Sequence, residues 1–279
     1  MNGKLYVVGT PIGNLGDFSP RAVEVLSSVD LIAAEDTRVT LKLLNHFDIK
    51  KPMISYHEHN IRERSEIIVS KIEQGQDVAI VTDAGMPCIS DPGEDLVCLC
   101  AERGINTYVV PGPTAAMSAL AISGLNTKRF SFEGFLTVRK VGRMELLNKI
   151  KNDDRTLIFY EAPHKLQRTL KDMYSVWGNR RIAIAREITK IHEEVIRTTL
   201  KDAISYYKEV LPKGEFVLII EGAEEEKTDE QISIEKAVMM VKDLYENGTP
   251  HAVASKQVAS ETGFKKSQLY SLALDNDEE

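Results

Sequence analysis

Short apolar runs alternate with amphipathic stretches through the first 124 residues, and this alternation constrains the fold more than any other feature of the chain. Leu5 to Val8, Leu31 to Ala34, Val78 to Val81 and Tyr108 to Val110 read as strands. Between and after them, Arg21 to Val29, Thr40 to Phe47, Arg62 to Gln74 and Glu94 to Arg103 read as helices. Strand and helix in alternation specify an α/β domain with a parallel sheet. Three of the strands run into special loops: Thr10-Pro11-Ile12-Gly13-Asn14, Asp83-Ala84-Gly85-Met86-Pro87 and Pro111-Gly112-Pro113-Thr114. Ligands of open α/β sheets sit at the carboxyl ends of strands, so three such loops imply one composite site.

Around Gly124-Leu125-Asn126 the pattern changes. Strands are expected at Phe130 to Phe135, Thr156 to Tyr160, Ile182 to Ala185, Val195 to Thr199 and Phe216 to Ile220, and helices at Arg143 to Lys151, Lys165 to Trp177 and Leu200 to Val210. This spacing suggests a second, mixed-sheet α/β domain. Glu221 to Glu230 holds six acids and one lysine and reads as a solvated linker. A helical tail follows, with Ala259 and Gly263 flanking a bend between Ser255 to Glu261 and Ser267 to Leu274. A plain helical hairpin and a helix-turn-helix nucleic-acid reader both fit that bend. The expected division is therefore residues 1–124, 125–222 and 223–279.

No basic stretch followed by an apolar core opens the chain, and no apolar run approaches 18 residues, so a soluble, cytoplasmic protein is expected. Cys88, Cys98 and Cys100 read as reduced structural thiols, and no metal site is expected. The formal net charge is −7, which argues against a polyanionic partner until its distribution is considered. Residues 128–190 carry 15 basic and 7 acidic side chains between two acidic flanks. That band is either a solvated surface or a contact for nucleic acid.

Gly9, Gly13 and Gly16 do not form a dinucleotide fingerprint, and no Gly-Lys-Ser/Thr follows them. Stiff Pro/Gly loops can instead offer main-chain donors and acceptors to a small polar ligand. The run from Leu5 to Asp17 resembles the opening of the ribosomal-RNA-modifying branch of the tetrapyrrole methylase family. Further matches are Ala33-Ala34-Glu35-Asp36-Thr37-Arg38, Ser55 to Asn60, Ser90-Asp91-Pro92-Gly93, Glu133 to Leu136, Tyr160 to His164, Ala185 to Lys190 and Lys213 to Phe216. Together they cover about residues 4–222. Departures are Thr137 for proline, Ala162 for serine and Met86 for threonine.

The resemblance implies two α/β domains with S-adenosylmethionine bound between them, and an acceptor in 16S ribosomal RNA of the 30S subunit: the ribose 2′-oxygen of a cytidine in the decoding centre. A tetrapyrrole or precorrin-like small molecule is the alternative acceptor. A homodimer is also implied. By motif, the cofactor would meet Pro11, Ile12, Gly13, Asp83, Ala84, Gly85, Ile89, Thr114, Ala115, Tyr160, Arg186, Gly214, Glu215 and Phe216. A ribose hydroxyl is a weak acid, so a base helps if it is within hydrogen-bond reach. Lys190 would serve if burial lowers its pKa, with Glu187, Glu35 and Asp36 as carboxylate alternatives; Lys190 can equally be an amine paired with a carboxylate or phosphate. Arg38 would orient those acids or grip RNA. His57 is expected to face RNA or position a domain, His164 to be a polar residue at a helix start or a substrate contact, and Arg139, Lys140 and Arg143 to contact phosphate.

Overall fold

The computed structural model describes residues 2–224 and 233–275. The chain divides into two compact units, Met1–Ala223 and Glu224–Glu279, and both sheets lie in the first. Residues 225–230 of the expected acidic linker lie outside the described residues.

The first sheet is built from β1 (Leu5–Val8), β2 (Leu31–Ala34), β3 (Met53–Ser55), β4 (Val78–Val81) and β5 (Thr107–Val110), in the order β3-β2-β4-β1-β5. All its pairings are parallel, as the alternation of strand and helix requires. Strand side chains alternate between faces. Leu5, Val7, Leu31, Ala33, Val78 and Ile80 pack against α3 (Ile61–Glu73) and α4 (Glu94–Glu102). Val8, Ile32, Ala34, Ala79 and Val81 pack on the opposite side against α1 (Pro20–Ser28) and α2 (Thr37–His46). The connection leaving β1 runs toward β2, whereas that leaving β4 runs the other way to β5. Adjacent strands with diverging connections open a crevice at their carboxyl ends.

The second sheet comprises β6 (Phe130–Phe135), β7 (Thr156–Glu161), β8 (Arg181–Arg186), β9 (Glu194–Thr199) and β10 (Phe216–Ile220), in the order β6-β7-β10-β8-β9. Only β6 and β7 run parallel, so the sheet is mixed, as expected. One face, with Leu157, Phe159, Ile184 and Leu218, is covered by α6 (Lys140–Lys149), α7 (Pro163–Trp177) and α8 (Leu200–Glu209). The other face, with Ile158, Ala183, Ala185, Val217 and Ile219, takes α5 (Ala115–Ile122). Alanines at 116 and 119 let that helix lie close to the strands, and the Arg197 guanidinium of β9 donates to the carbonyls of Ile122 and Ser123 at its C-terminus. Because α5 leaves β5 of the first sheet, it ties the two sheets together.

The expected second helix begins three residues earlier than the apolar spacing suggests, because the Asp36 carboxylate caps it by accepting from Arg38 N at 2.8 Å. The second unit contains α9 (Ile234–Glu246), α10 (His251–Thr262) and α11 (Lys266–Asp275), around Val238, Val241, Ala254, Val258 and Leu269. Gly263, at φ 76°, makes the bend expected there. No described helix is long and apolar enough to cross a membrane.

At the crevice, the loop after β1 is stitched to the loop after β4. Thr10 N donates to Gly85 O at 2.9 Å, Gly85 N returns to Thr10 O at 3.2 Å, and Thr10 Oγ1 donates to Thr82 O at 3.1 Å. The loop after β5 closes the set by bare backbone contact: a methyl carbon placed on Gly9 would lie 2.7 Å from Gly112 Cα and 2.6 Å from Met86 Sδ. Backbone cannot give way as a side-chain tip can. Gly9→Ala is therefore expected to lower stability by about 1–3 kcal/mol in urea denaturation, the usual range for overpacking; an unchanged midpoint would show that the loops are not locked.

Candidate active site

A cavity of about 400 Å³ opens where the first sheet's strand ends meet the second sheet. Ile12, Glu35, the Asp83 to Met86 turn, Ile89 to Asp91, Thr114 and Ala115 line one side; Phe135, Tyr160 to Pro163, Ile188 and Glu215 to Val217 line the other. Most of the expected cofactor residues are thus gathered: Ile12, Asp83, Ala84, Gly85, Ile89, Thr114, Ala115, Tyr160, Glu215 and Phe216. Pro11, Gly13, Arg186 and Gly214 are not among the lining residues.

The walls divide by chemistry. Ile12, Met86, Ile89, Ile188, Phe216 and Val217 offer apolar surface, and Phe135 meets the Tyr160 ring at a centroid distance of 5.4 Å. The Tyr160 hydroxyl accepts from Ala116 N at 3.3 Å, which fixes the ring against the start of α5. Five carboxylates line the wall, Glu35, Asp83, Asp91, Glu161 and Glu215, and among the described residues no basic side chain does. Asp83 N donates to Glu35 Oε2 and Asp36 N to Asp83 Oδ1, both at 3.2 Å, so the ends of β2 and β4 hold each other's carboxylates. Burial pushes Glu35 and Asp83 above the ordinary carboxylate range, and neighbouring acids add to it. Glu161 is buried and engaged by Thr169 Oγ1 and by Ala162 N, so it secures the start of α7.

Lys190 and Glu187 do not take the part expected of them. Neither lines the cavity. Lys190 Nζ lies 3.0 Å from both Glu187 Oε1 and Glu215 Oε2, and its stem covers Gly13, where a methyl carbon would come within 2.4 Å of Lys190 Cγ. Burial pulls the ammonium pKa down, but the two carboxylates outweigh it and raise it above the ordinary lysine value. A protonated amine has no lone pair with which to accept a proton. Burial likewise pushes the Glu187 carboxyl up, but the Glu215 amide and Lys190 outweigh it and hold it below the usual range. Its side chain lies over Gly214, at φ 89°, where a methyl carbon would come within 2.6 Å of Glu187 Cγ. Both residues therefore brace the turn that presents Glu215 and Phe216.

Arg143 requires a second correction. It is 2% exposed, with Nε and Nη2 on Asp172 of α7 at 2.8 and 2.7 Å and Nη1 on the carbonyls of Thr137 and Val138 at 2.9 Å. Four bonds inside the fold leave it unavailable to a phosphate. Arg139 and Lys140, one turn earlier, are exposed. Arg186 is engaged by Glu194 at 3.0 Å across the β8–β9 pair. Arg38 projects into solvent and grips Asp36 in a fork, which lowers the Asp36 pKa. His57 is half-buried, its ring 3.2 Å from Asn60 Nδ2, and His164 is exposed at the second position of α7.

Of the wall residues not singled out from sequence, Asp91 is the most consequential. The available signal was the acid in Ser90-Asp91-Pro92-Gly93, which by itself reads only as a turn. Met86, one of the departures from the family pattern, accepts from Gly112 N at 3.2 Å and so joins two loops; Ala162, another, starts α7 without a side-chain cap.

The chain is similar to known proteins over most of its length. The family model of the tetrapyrrole (corrin/porphyrin) methylases matches residues 4–204. The ribosomal RNA small subunit methyltransferase I of Synechocystis sp. is 49% identical over 98% of both chains. The protein of the same name from Thermotoga maritima is 47% identical over 80% of this chain and 100% of its own. Among solved structures, uroporphyrin-III-C-methyltransferase from Thermus thermophilus covers 78% of this chain and 94% of its own, with a TM-score of 0.54 and 19% identity, a likeness of fold.

Breaking a buried ion pair by removing one partner costs about 3–5 kcal/mol. Arg143→Ala is expected to lose stability of that order in chemical denaturation. The exposed Arg139→Ala should stay within about 0.5 kcal/mol of wild type. Equal effects would return Arg143 to the surface.

Proposed function

Since the chain belongs to the tetrapyrrole methylase family, in the branch of the ribosomal RNA small subunit methyltransferases I, we propose that it is an S-adenosylmethionine-dependent methyltransferase of 16S ribosomal RNA. Its acceptor is the 2′-oxygen of a cytidine ribose in the decoding centre of the 30S subunit, and it works in the cytoplasm as a homodimer. The observation that carries this reading is the near full-length match to relatives of that name.

The cavity fits the cofactor. Its volume is within the range of small-molecule sites, its apolar wall suits an adenine, and its acidic lining suits a ligand with a positive sulfur and an ammonium. Thr114 starts α5 without a side-chain cap, so, with Ala116 N given to Tyr160, the Ala115 amide at the start of this helix is left for the ligand's carboxylate. The sulfonium methyl is already activated when the cofactor is bound. What remains for this chain is to align the acceptor oxygen at about 3 Å from the methyl carbon and to exclude water.

The same lining bears on the acceptor. A tetrapyrrole bearing carboxylates would place like charges against Glu35, Asp83 and Asp91, whereas a ribose hydroxyl is neutral. The phosphates on either side of it would meet the basic band outside, where Arg139 and Lys140 are exposed. The dimer has a candidate surface. Edge strand β5 exposes Tyr108 and Val109 at 46% and 55%, and the following helix exposes Met117 and Ile122.

Transfer of labelled methyl from S-adenosylmethionine to isolated 30S subunits, mapped by ribose-sensitive primer extension, tests the reading. The expected result is one modified cytidine; label on a precorrin-type acceptor and none on RNA would overturn it. The double substitution Arg139→Ala, Lys140→Ala should weaken 30S binding most at low salt and leave calorimetric cofactor affinity unchanged.

A further inference from the structure

Every carboxylate at the cavity wall holds a hydrogen bond or an ion pair, with one exception. Glu35 accepts from Asp83 N, and Asp83 from Asp36 N. Glu161 is engaged by Thr169 and Ala162, Glu215 by Lys190, and the Tyr160 hydroxyl by Ala116 N. No histidine or lysine lines the cavity. Asp91 lines it, is half-buried, and has neither a hydrogen bond nor an ion pair among the described residues.

Asp91 is also firmly placed. Cys88 and Ser90 before it lie at φ 71° and 64°, Pro92 follows, Gly93 is at φ 138°, and Cys88 N closes the turn on Pro92 O at 3.4 Å. These restraints leave the carboxylate little freedom except through its own side-chain torsions. From this placement we propose that Asp91 is the catalytic base that takes the proton of the acceptor hydroxyl during methyl transfer. The inference rests on the hydroxyl-methylating function proposed above. As the hydroxyl oxygen bonds to the methyl carbon, the carbon–sulfur bond breaks and its electron pair stays on sulfur. The O–H bond breaks with its pair left on oxygen, and the proton passes to an Asp91 carboxylate oxygen. The products are a neutral thioether, a methyl ether and a neutral Asp91 carboxyl.

The electrostatics suit the task. Burial, and then the facing Glu35 and Asp83 carboxylates, push Asp91 up to about 6. Tyr160 and Cys88 also feel its charge: burial and then Asp91 raise Tyr160 against the Ala116 hydrogen bond, and burial, then Glu94, Cys98 and Asp91, raise Cys88. A base with a pKa near 6 is ionised at pH 7 and stronger than an ordinary aspartate.

The test is single-turnover methyl transfer to 30S subunits from pH 5 to 8, for wild type, Asp91→Asn and Glu35→Gln, with carboxyl-¹³C-aspartate NMR of the cofactor-free proteins. The wild-type rate should climb as pH rises through about 6 and then level off. D91N should be about 100-fold slower at pH 7.5, on the general-base scale. It should lose that limb and lose a resonance titrating near 6. A D91N rate within about threefold of wild type, a limb that survives in D91N but vanishes in E35Q, or no wild-type aspartate titrating between about 5 and 7 would overturn the assignment. The NMR result stands even if D91N fails to fold. A wild-type protein that labels no RNA would overturn the ribosomal reading itself, a failure distinct from equal labelling by wild type and D91N.

Discussion

The site depends on a contact between two stretches of bare backbone. Gly9 and Gly112 meet with no room for a side chain on either, and Thr10 bonds main chain to main chain with Gly85. Three loops from three neighbouring strands thereby become one rigid rim. Such a rim can present amides and carbonyls to a ligand without reorganising, which a set of long flexible side chains could not do without losing rotamer entropy. The proline and glycine content of these segments follows from that geometry.

Charge is sorted around the rim. Acids crowd the cavity wall, while neighbouring cations are held in ion pairs: Lys190 with Glu187 and with Glu215 of the wall, Arg186 with Glu194, Arg38 with Asp36. With no cation at the wall to hold every acid in its ionised form, burial and mutual repulsion raise Glu35, Asp83 and Asp91 together. The basic band of residues 128–190 is partly spent on the fold itself, as the buried Arg143 shows.

The strands were legible wherever a run of apolar residues met two packed faces, as at β1, β2, β4, β7 and β10. β3 was not, because it is three half-buried residues after Lys50-Lys51-Pro52, with no apolar run to mark it. The extent of α5 was not legible, since Ala-Ala-Met-Ser-Ala-Leu-Ala-Ile has no polar stripe to set a helical period. Arg143 was misread for a related reason. Its neighbours Arg139 and Lys140 suggest a basic surface, yet it shares the inward face of α6 with Leu147, one turn on. Lys190 and Glu187 were located in the right neighbourhood, but spacing alone does not reveal that they satisfy each other. Asp91 was hidden because its importance lies in what it lacks, a partner, and partners are set by tertiary structure.

The cavity wall runs from Ile12 to Val217, so its two sides come from nearly opposite ends of the first unit. A nascent chain that has delivered the whole parallel sheet still has only one side of the ligand site, and the last wall segment arrives with β10, the central strand of the second sheet. Synthesis must therefore pass residue 217 before any enclosed site exists. A chain truncated earlier lacks both its wall and the middle of its second sheet, which makes premature termination self-silencing: the fragment has no closed cavity.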